Sequence, residues 1–387
     1  MKKILITGGA GFIGSEIVNQ LFATQKWEIT VLDALTEQIH GKNGYDSYLF
    51  KSVENKCKFI KGNITDYEIV SKSVADNEYI IHLAAETGTG QSMYQINRYN
   101  EVNIMGTSNL LQAISNFGKD SKVKKIILSS SRSVYGEGKY NCSECGTVYP
   151  GARSRKRMLK GDFDLYCPHC GKKLELVPTT EDSKITSCSL YAFTKYAQEN
   201  MLRTMCPAIN IDFTIFRFQN VYGVGQSLKN PYTGILSIFS SLMLENKPIN
   251  IFEDGFESRD FVHVKDIASG VIASLKNTES NGETINLGSG CNTRVIDIAE
   301  MLKKSYGSHS LLNITGDFRL GDIAHNKADI TKAKRILNFT PKISLKEGLA
   351  DFCDWVKNQV SDNSGYEKSL TEMENSGLFI RKENADL

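Results

Sequence analysis

Tyr191 and Lys195 stand four residues apart in the run Tyr191-Ala192-Phe193-Thr194-Lys195. The surrounding stretch, Leu190–Arg203, predicts a helix, so the phenol and the ammonium share one helical face. A cation beside a tyrosine lowers its pKa and favours the phenolate, a base usable near neutral pH. Ser129, Ser130 and Ser131 close a strand-like run. A serine hydroxyl there could hydrogen-bond the same substrate oxygen and help pass its proton. The Tyr-x-x-x-Lys spacing also occurs on ordinary amphipathic helices. It gains meaning from the head of the chain.

Ile4 through Gly14 reads as a buried strand, a glycine turn and a helix start. Gly8 allows the tight turn, Gly11 lets backbone approach a pyrophosphate, and Gly14 lets the helix pack on the strand. The pyrophosphate would rest on unpaired N–H groups at the helix N-terminus, beside Phe12 and Ile13. Asp33 closes the second predicted strand. An acid at that position accepts from the adenosine ribose hydroxyls and repels a 2′-phosphate, which selects NAD over NADP; a helix N-cap is the alternative. Gly62-Asn63-Ile64 follows the third strand, and His82-Leu83-Ala84-Ala85 ends the fourth. Asn63, Ile64, Leu83, Ala84 and Ala85 thus fall on the carboxyl edge of the sheet, where such folds bind ligands.

The elements that must position these groups alternate. Strands are predicted at Lys3–Thr7, Glu28–Asp33, Lys58–Lys61, Tyr79–Leu83 and Lys125–Ser129, with helices such as Ser15–Ala23 and Val102–Phe117 between them. That order implies βαβ units in an α/β fold, a doubly wound parallel Rossmann sheet. Residues 1–138 form the expected NAD-binding domain, and residues 181–220 continue it with the catalytic helix and the strand Asp212–Arg217. A smaller mixed α/β lobe is expected over residues 221–360, with a helix at Ile235–Leu244 and a strand and turn at Asn286–Gly290. Residues 361–387 read as a polar, appended and loosely ordered tail.

Residues 139–180 break the alternation. Cys142-Ser143-Glu144-Cys145 and Cys167-Pro168-His169-Cys170 are two CxxC knuckles with 21 residues between them. That spacing fits a closed, structural, four-thiolate zinc ribbon held by Cys142, Cys145, Cys167 and Cys170, with His169 outside the shell. A redox dithiol pair and unligated thiols are the competing readings. The insert separates Ser131 from Tyr191 by 59 residues, more than ordinary loops explain. It should stand near the mouth of the substrate pocket, as a lid, an oligomer contact or an ornament. Its basic run Arg153–Arg157 could meet a nucleotide phosphate or form a solvated face.

The chain's 387 residues allow a large core in two lobes, and 41% hydrophobic and 23% charged residues are ordinary for a soluble protein. A net charge of +2 gives no reason to invoke nucleic acid or an anionic membrane. No apolar run is long enough to span a bilayer. The glycine motif begins too early for a cleavable signal to precede it, which makes the cytoplasm the expected location. In that compartment the nine cysteines are expected as thiols and metal ligands.

TGGAGFIG, HLAA, SSSRSVYG, YAFTK and the RFQNVYG and SRDFVHV segments stand in family order over residues 1–135 and 181 to about 350. With them the chain resembles the extended short-chain dehydrogenase/reductases, the NAD-dependent nucleotide-sugar epimerases and dehydratases. The resemblance implies a nucleotide-diphosphate sugar as substrate and Ser131, Tyr191 and Lys195 as the catalytic set. It maps the nucleotide and diphosphate contacts onto Asn220, Arg259, Arg319 and Asp322; a surface salt bridge is the bland alternative for each arginine. Where the family's dehydratases carry an Asp-Glu pair, this chain has Arg132 and Ser133, which cannot exchange those protons at neutral pH. Ser133 also departs from the decarboxylases. The family pattern then leaves hydride chemistry at one carbon, C4 epimerisation foremost. An oxidoreductase releasing a ketosugar, a UDP-hexose epimerase and an NAD-sensing scaffold are the rivals. The segments Ala85–Met93 and Gln219–Leu228, with the insert, are most similar to bacterial dTDP-L-rhamnose 4-epimerases, which implies that Thr87, Gln91 and Ser92 face the hexose. The family also implies a homodimer through Val102–Phe117 and Leu190–Arg203.

Overall fold

Apolar, β-branched runs buried on both faces demand a covered parallel sheet. The computed structural model describes residues 1–228, 230, 234–359 and 364–382. The main-sheet strands are β1 (Lys2–Thr7), β2 (Trp27–Asp33), β3 (Lys58–Lys61), β4 (Tyr79–His82), β5 (Lys125–Ser131), β6 (Asp212–Phe218) and β7 (Thr284–Leu287). They lie in the order β3-β2-β1-β4-β5-β6-β7, and every pairing is parallel. The order reverses between β1 and β4, which opens the crevice where doubly wound sheets bind nucleotides.

Alternation along the strands builds two cores. Ile4, Ile6 and Ile127 point to one face, against Ile17, Val18 and Ile267. Leu5, Ile80 and Ile126 point to the other, against Leu110, Ile114 and Leu202. The helix that carries Tyr191 and Lys195, Leu190–Ala208, lies on that second face. Beside it the helix ending at Phe117 is preceded by a π-type stretch, Asn100–Met105, inside the expected regular helix. There the buried Asn103 accepts from the Glu86 N–H at 2.8 Å and donates to Thr194 Oγ1 at 2.9 Å. A widened turn at such a contact is a known local solution near functional sites.

The second lobe packs Ile235–Leu244, Val295–Tyr306 and Leu345–Lys357 around Ile249, Ile251 and Phe352. Its expected limits change in two places. Helix Val264–Ser274, β7 and helix Thr331–Leu337 return to the main sheet, where Ile267, Ile285 and Ile336 join the first core. The expected loose tail is folded. It forms helix Ser364–Asn375 and a strand, Phe379–Ile380, antiparallel to Phe318–Arg319. Leu370, Met373 and Phe379 carry it onto Tyr94 and Phe252, an apolar set too scattered for its polar composition to betray. Residues 361–363 and 383–387 lie outside the described residues.

The insert folds as a three-stranded antiparallel sheet, Gly146–Val148, Tyr140–Cys142 and Glu175–Leu176. No helix among the described residues is long and apolar enough to cross a membrane.

Candidate active site

A cleft of about 630 Å3 runs along the carboxyl edge of the sheet and into the second lobe. At its first end Gly8 holds φ +70°, and a Cβ there would stand 2.7 Å from the Ala84 nitrogen. A Cβ on Gly14 would stand 2.3 Å from the Gly8 carbonyl oxygen, so the helix could not approach the turn. Gly11 caps helix Phe12–Ala23 without a side chain, leaving the first helical N–H groups for an anion. Asp33 accepts from the N–H groups of Ala10 at 3.0 Å and Leu35 at 2.9 Å. The following helix is capped by Thr36, so Asp33 is not its N-cap. Its carboxylate instead fixes the glycine turn and lines the cleft. His40, which the sequence did not single out, lies 3.9 Å from it, its pKa lowered by burial against the pull of that carboxylate. An acid and a largely neutral imidazole suit a ribose diol better than a 2′-phosphate. Asn63, Ile64, Leu83, Ala84 and Ala85 line the same cleft. The donor set and the glycine cradle therefore fit a dinucleotide.

Ser131, Tyr191 and Lys195 meet at the middle of the cleft. Ser189 caps the catalytic helix by accepting from the Ala192 N–H at 3.2 Å. Ser92 Oγ accepts from the Tyr191 N–H at 3.0 Å. Four residues past Lys195, the fully buried Glu199 accepts from Ser130 at 2.5 Å and from Arg217 at 2.9 and 2.7 Å. One carboxylate thus ties the helix to β5 and β6. The electrostatics differ from expectation. Burial pushes the Tyr191 phenol up, while the Ser131 hydroxyl and the Arg132 charge pull it down. Burial also pushes the Lys195 amine down to about 7, against the Glu199 carboxylate. For Tyr191 desolvation outweighs the pull of Ser131 and Arg132 together.

The far end gathers Asn220, Arg259, Arg319 and Asp322. Arg259 donates to the Asp322 carboxylate at 3.2 Å and to the Ala324 carbonyl at 3.0 Å. Burial pushes Asp322 up, but Arg259, Arg319 and Arg153 bring it below the usual carboxylate range. Buried Asn220 Oδ1 and Arg319 Nε have no protein partner, which leaves an acceptor and a donor for a ligand. Thr87 lines the cleft, but Gln91 and Ser92 do not. Gln91 turns to Gln38 and Tyr99, and Ser92 is spent on the catalytic helix and the Thr89 carbonyl. Their helical turn, Thr89–Ser92, rotates both inward. Besides His40, the cleft residues to which the sequence reading gave no site role include Arg132 beside Ser131, Glu257 of the second lobe and Tyr366 of the tail. No local motif marks Glu257 or Tyr366; Arg132 was legible only as a departure from the dehydratase pair.

In the insert the sulfur atoms of Cys142, Cys145, Cys167 and Cys170 lie within 4.8 Å of one another, and His169 is outside the cluster. Four converging thiols are a donor set that suits a tetrahedral structural metal. The basic run divides: Arg153 is buried among carboxylates, whereas Arg157 stacks 3.8 Å from the Tyr166 ring centroid.

Comparison with known proteins agrees with this geometry. The model of the NAD dependent epimerase/dehydratase family matches residues 4–153 and 167–288. A dTDP-L-rhamnose 4-epimerase of Burkholderia thailandensis is 36% identical over 93% of this chain and 96% of its own length. A UDP-glucuronate 4-epimerase of Thermodesulfobacterium geofontis is 32% identical over 93% and 98%. The crystal structure of UDP-glucuronic acid 4-epimerase from Bacillus cereus, in complex with UDP-glucuronic acid and NAD, superposes with a TM-score of 0.75. It is 28% identical, over 92% of this chain and 99% of that one. The chain belongs to the NAD-dependent epimerase/dehydratase family.

Proposed function

We propose that this enzyme is an NAD-dependent nucleotide-sugar 4-epimerase and that its substrate is a dTDP-6-deoxyhexose, dTDP-L-rhamnose foremost. One observation carries the reaction type: Ser131, Tyr191 and Lys195 stand between a dinucleotide cradle and the Arg259–Arg319 end of a single cleft. NAD, when bound, supplies the hydride acceptor and returns the hydride. Tyr191 must lose its own proton first; as the phenolate it takes the proton of the 4-hydroxyl, with Ser131 hydrogen-bonded to the same oxygen, and gives it back after reduction. Arg259 and Arg319 grip the diphosphate through planar forks while the 4-ketosugar turns about its linkage. The sugar preference is supported by the insert, by the loops beginning at Thr87 and Gln219, and by the Burkholderia thailandensis relative.

Arg132 favours a second reading. A guanidinium beside Ser131 could pair with the carboxylate of a uronic acid. Asp322 and Glu137 already act on its charge, which supports the uncharged sugar first. The test is incubation with dTDP-L-rhamnose, UDP-glucose and UDP-glucuronate without added cofactor, followed by proton NMR of the product. Conversion of dTDP-L-rhamnose to its C4 epimer is expected. A demand for stoichiometric NAD would turn the assignment to an oxidoreductase, and inertness towards all three sugars would end it.

We further assign zinc to the four insert thiols and a homodimer, in the cytoplasm, to the chain. Met93, Ile96, Met105 and Phe193, on or beside the two long helices, are exposed and suit an apolar interface. Metal analysis should give one zinc per chain, lost in Cys167→Ser, and light scattering should give a dimer. Unchanged metal content in the variant would remove the zinc assignment, and a monomer the dimer.

A further inference from the structure

Arg153 leaves the insert and buries its guanidinium against the second lobe, with its side chain 3% exposed. It grips Glu253 with both terminal nitrogens, one of them 2.7 Å from Oε1. The same nitrogen donates to the Asp322 carbonyl at 3.0 Å, and Nε lies 3.4 Å from Glu137 Oε1. Both residues hold the segment running through Arg319 and Asp322, Glu137 by its carboxylate and Glu253 by its backbone. Glu137 accepts from the Ala324 N–H at 2.9 Å, and the Glu253 N–H donates to the Asp317 carbonyl at 2.8 Å. Between these points Phe318 is buried against Met158 and Phe163 of the insert, and strand Phe318–Arg319 pairs with the tail. The segment that presents Arg319 and Asp322 is therefore clasped by the insert on one side and the tail on the other.

We propose that Arg153 is a positioning residue for nucleotide-diphosphate recognition, so that the insert completes the substrate site. The proposal rests on the assignment of Arg259, Arg319 and Asp322 to the diphosphate. Its physical basis is competition for a cation. Glu137 and Glu253, each with a side chain 2% exposed, share the Arg153 guanidinium. A buried carboxylate that loses its partner must find another cation or a proton. Arg259, whose charge already acts on both, is available to them and would be drawn from the diphosphate. At the same time the Asp322 carbonyl would lose its donor.

The experiment is calorimetric titration of the NAD-loaded enzyme with dTDP and with UDP, beside steady-state kinetics on the nucleotide sugar. In Arg153→Met the Kd for nucleoside diphosphate and the KM should each rise about tenfold or more, as for contacting residues that are strongly coupled. The kcat at saturation should stay within about threefold and the NAD content unchanged, a split that general loss of stability does not produce. Arg153→Lys keeps the charge but not the fork, and should fall between. If Arg153→Met does not fold, Arg153→Met with Glu253→Met removes both partners of the buried pair, a milder change, and should still raise Kd and KM, though less, because Glu137 alone then competes for Arg259. A Kd and KM within about twofold of wild type in a folded variant would overturn the positioning role alone. Failure of the wild type to bind either nucleotide would overturn the role together with the assignment it rests on.

Discussion

Tyr191→Phe should lower kcat by about 10^2 to 10^4, the usual contribution of a positioned proton-transfer group. Each tenfold loss corresponds to about 1.4 kcal/mol of transition-state stabilisation. The substitution removes one oxygen from a side chain whose ring is otherwise held by packing, including an edge contact with Tyr99 at 6.4 Å between centroids. The backbone N–H of Tyr191 keeps its bond to Ser92. NAD content and nucleotide affinity should therefore stay at wild-type values while turnover collapses. Single-turnover measurement of the NADH absorbance band isolates the oxidation step, in which the loss of the base should appear directly. Ser131→Ala should be milder, because it leaves the base in place. A Phe variant with more than a tenth of wild-type turnover would show that another group removes the proton.

Glu199→Ala should destabilise the protein by roughly 3–5 kcal/mol, the cost of breaking a buried ion pair from one side. Arg217, its side chain 3% exposed, would keep a buried charge whose partner is gone, and Ser130 would lose the same acceptor. The Arg203 bond to Glu199 lies nearer the surface and adds little. Against a total stability of about 5–15 kcal/mol, a loss of this size brings a domain close to unfolding at growth temperature. Urea denaturation of the NAD-loaded protein followed by circular dichroism should show the midpoint falling sharply. Glu199→Gln should recover part of the loss, because it can still accept from Ser130 and Arg217. An alanine variant unfolding within about 1 kcal/mol of wild type would mean that packing, not this carboxylate, fixes the catalytic helix.

The two predictions draw on different kinds of information. Tyr191 and Lys195 were legible because a helix repeats every 3.6 residues, so a spacing of four states a shared face before any fold is known. The same holds for Gly8 and Gly14, where a turn and a close approach admit little else. The two CxxC knuckles were legible because ligand spacing within a knuckle is local. Glu199 shows the limit. On the same helix it reads as one more charged residue, and only the arrival of Ser130 and Arg217 from β5 and β6 makes it a structural anchor.

Gln91 and Ser92 show that a segment can reach the cleft without turning every side chain into it. Their stretch reaches the cleft at Thr87, but one short helical turn decides which side chains face it. By itself the sequence determined the strand–turn–helix cradle, the serine, tyrosine and lysine, and the thiol pairs, because each is written in short-range spacing. Only the tertiary structure decided that the tail folds over the site, that Arg153 turns inward to the carboxylates, and that burial lifts the tyrosine pKa. Those outcomes depend on desolvation and on contacts between residues up to hundreds of positions apart, which no local pattern encodes.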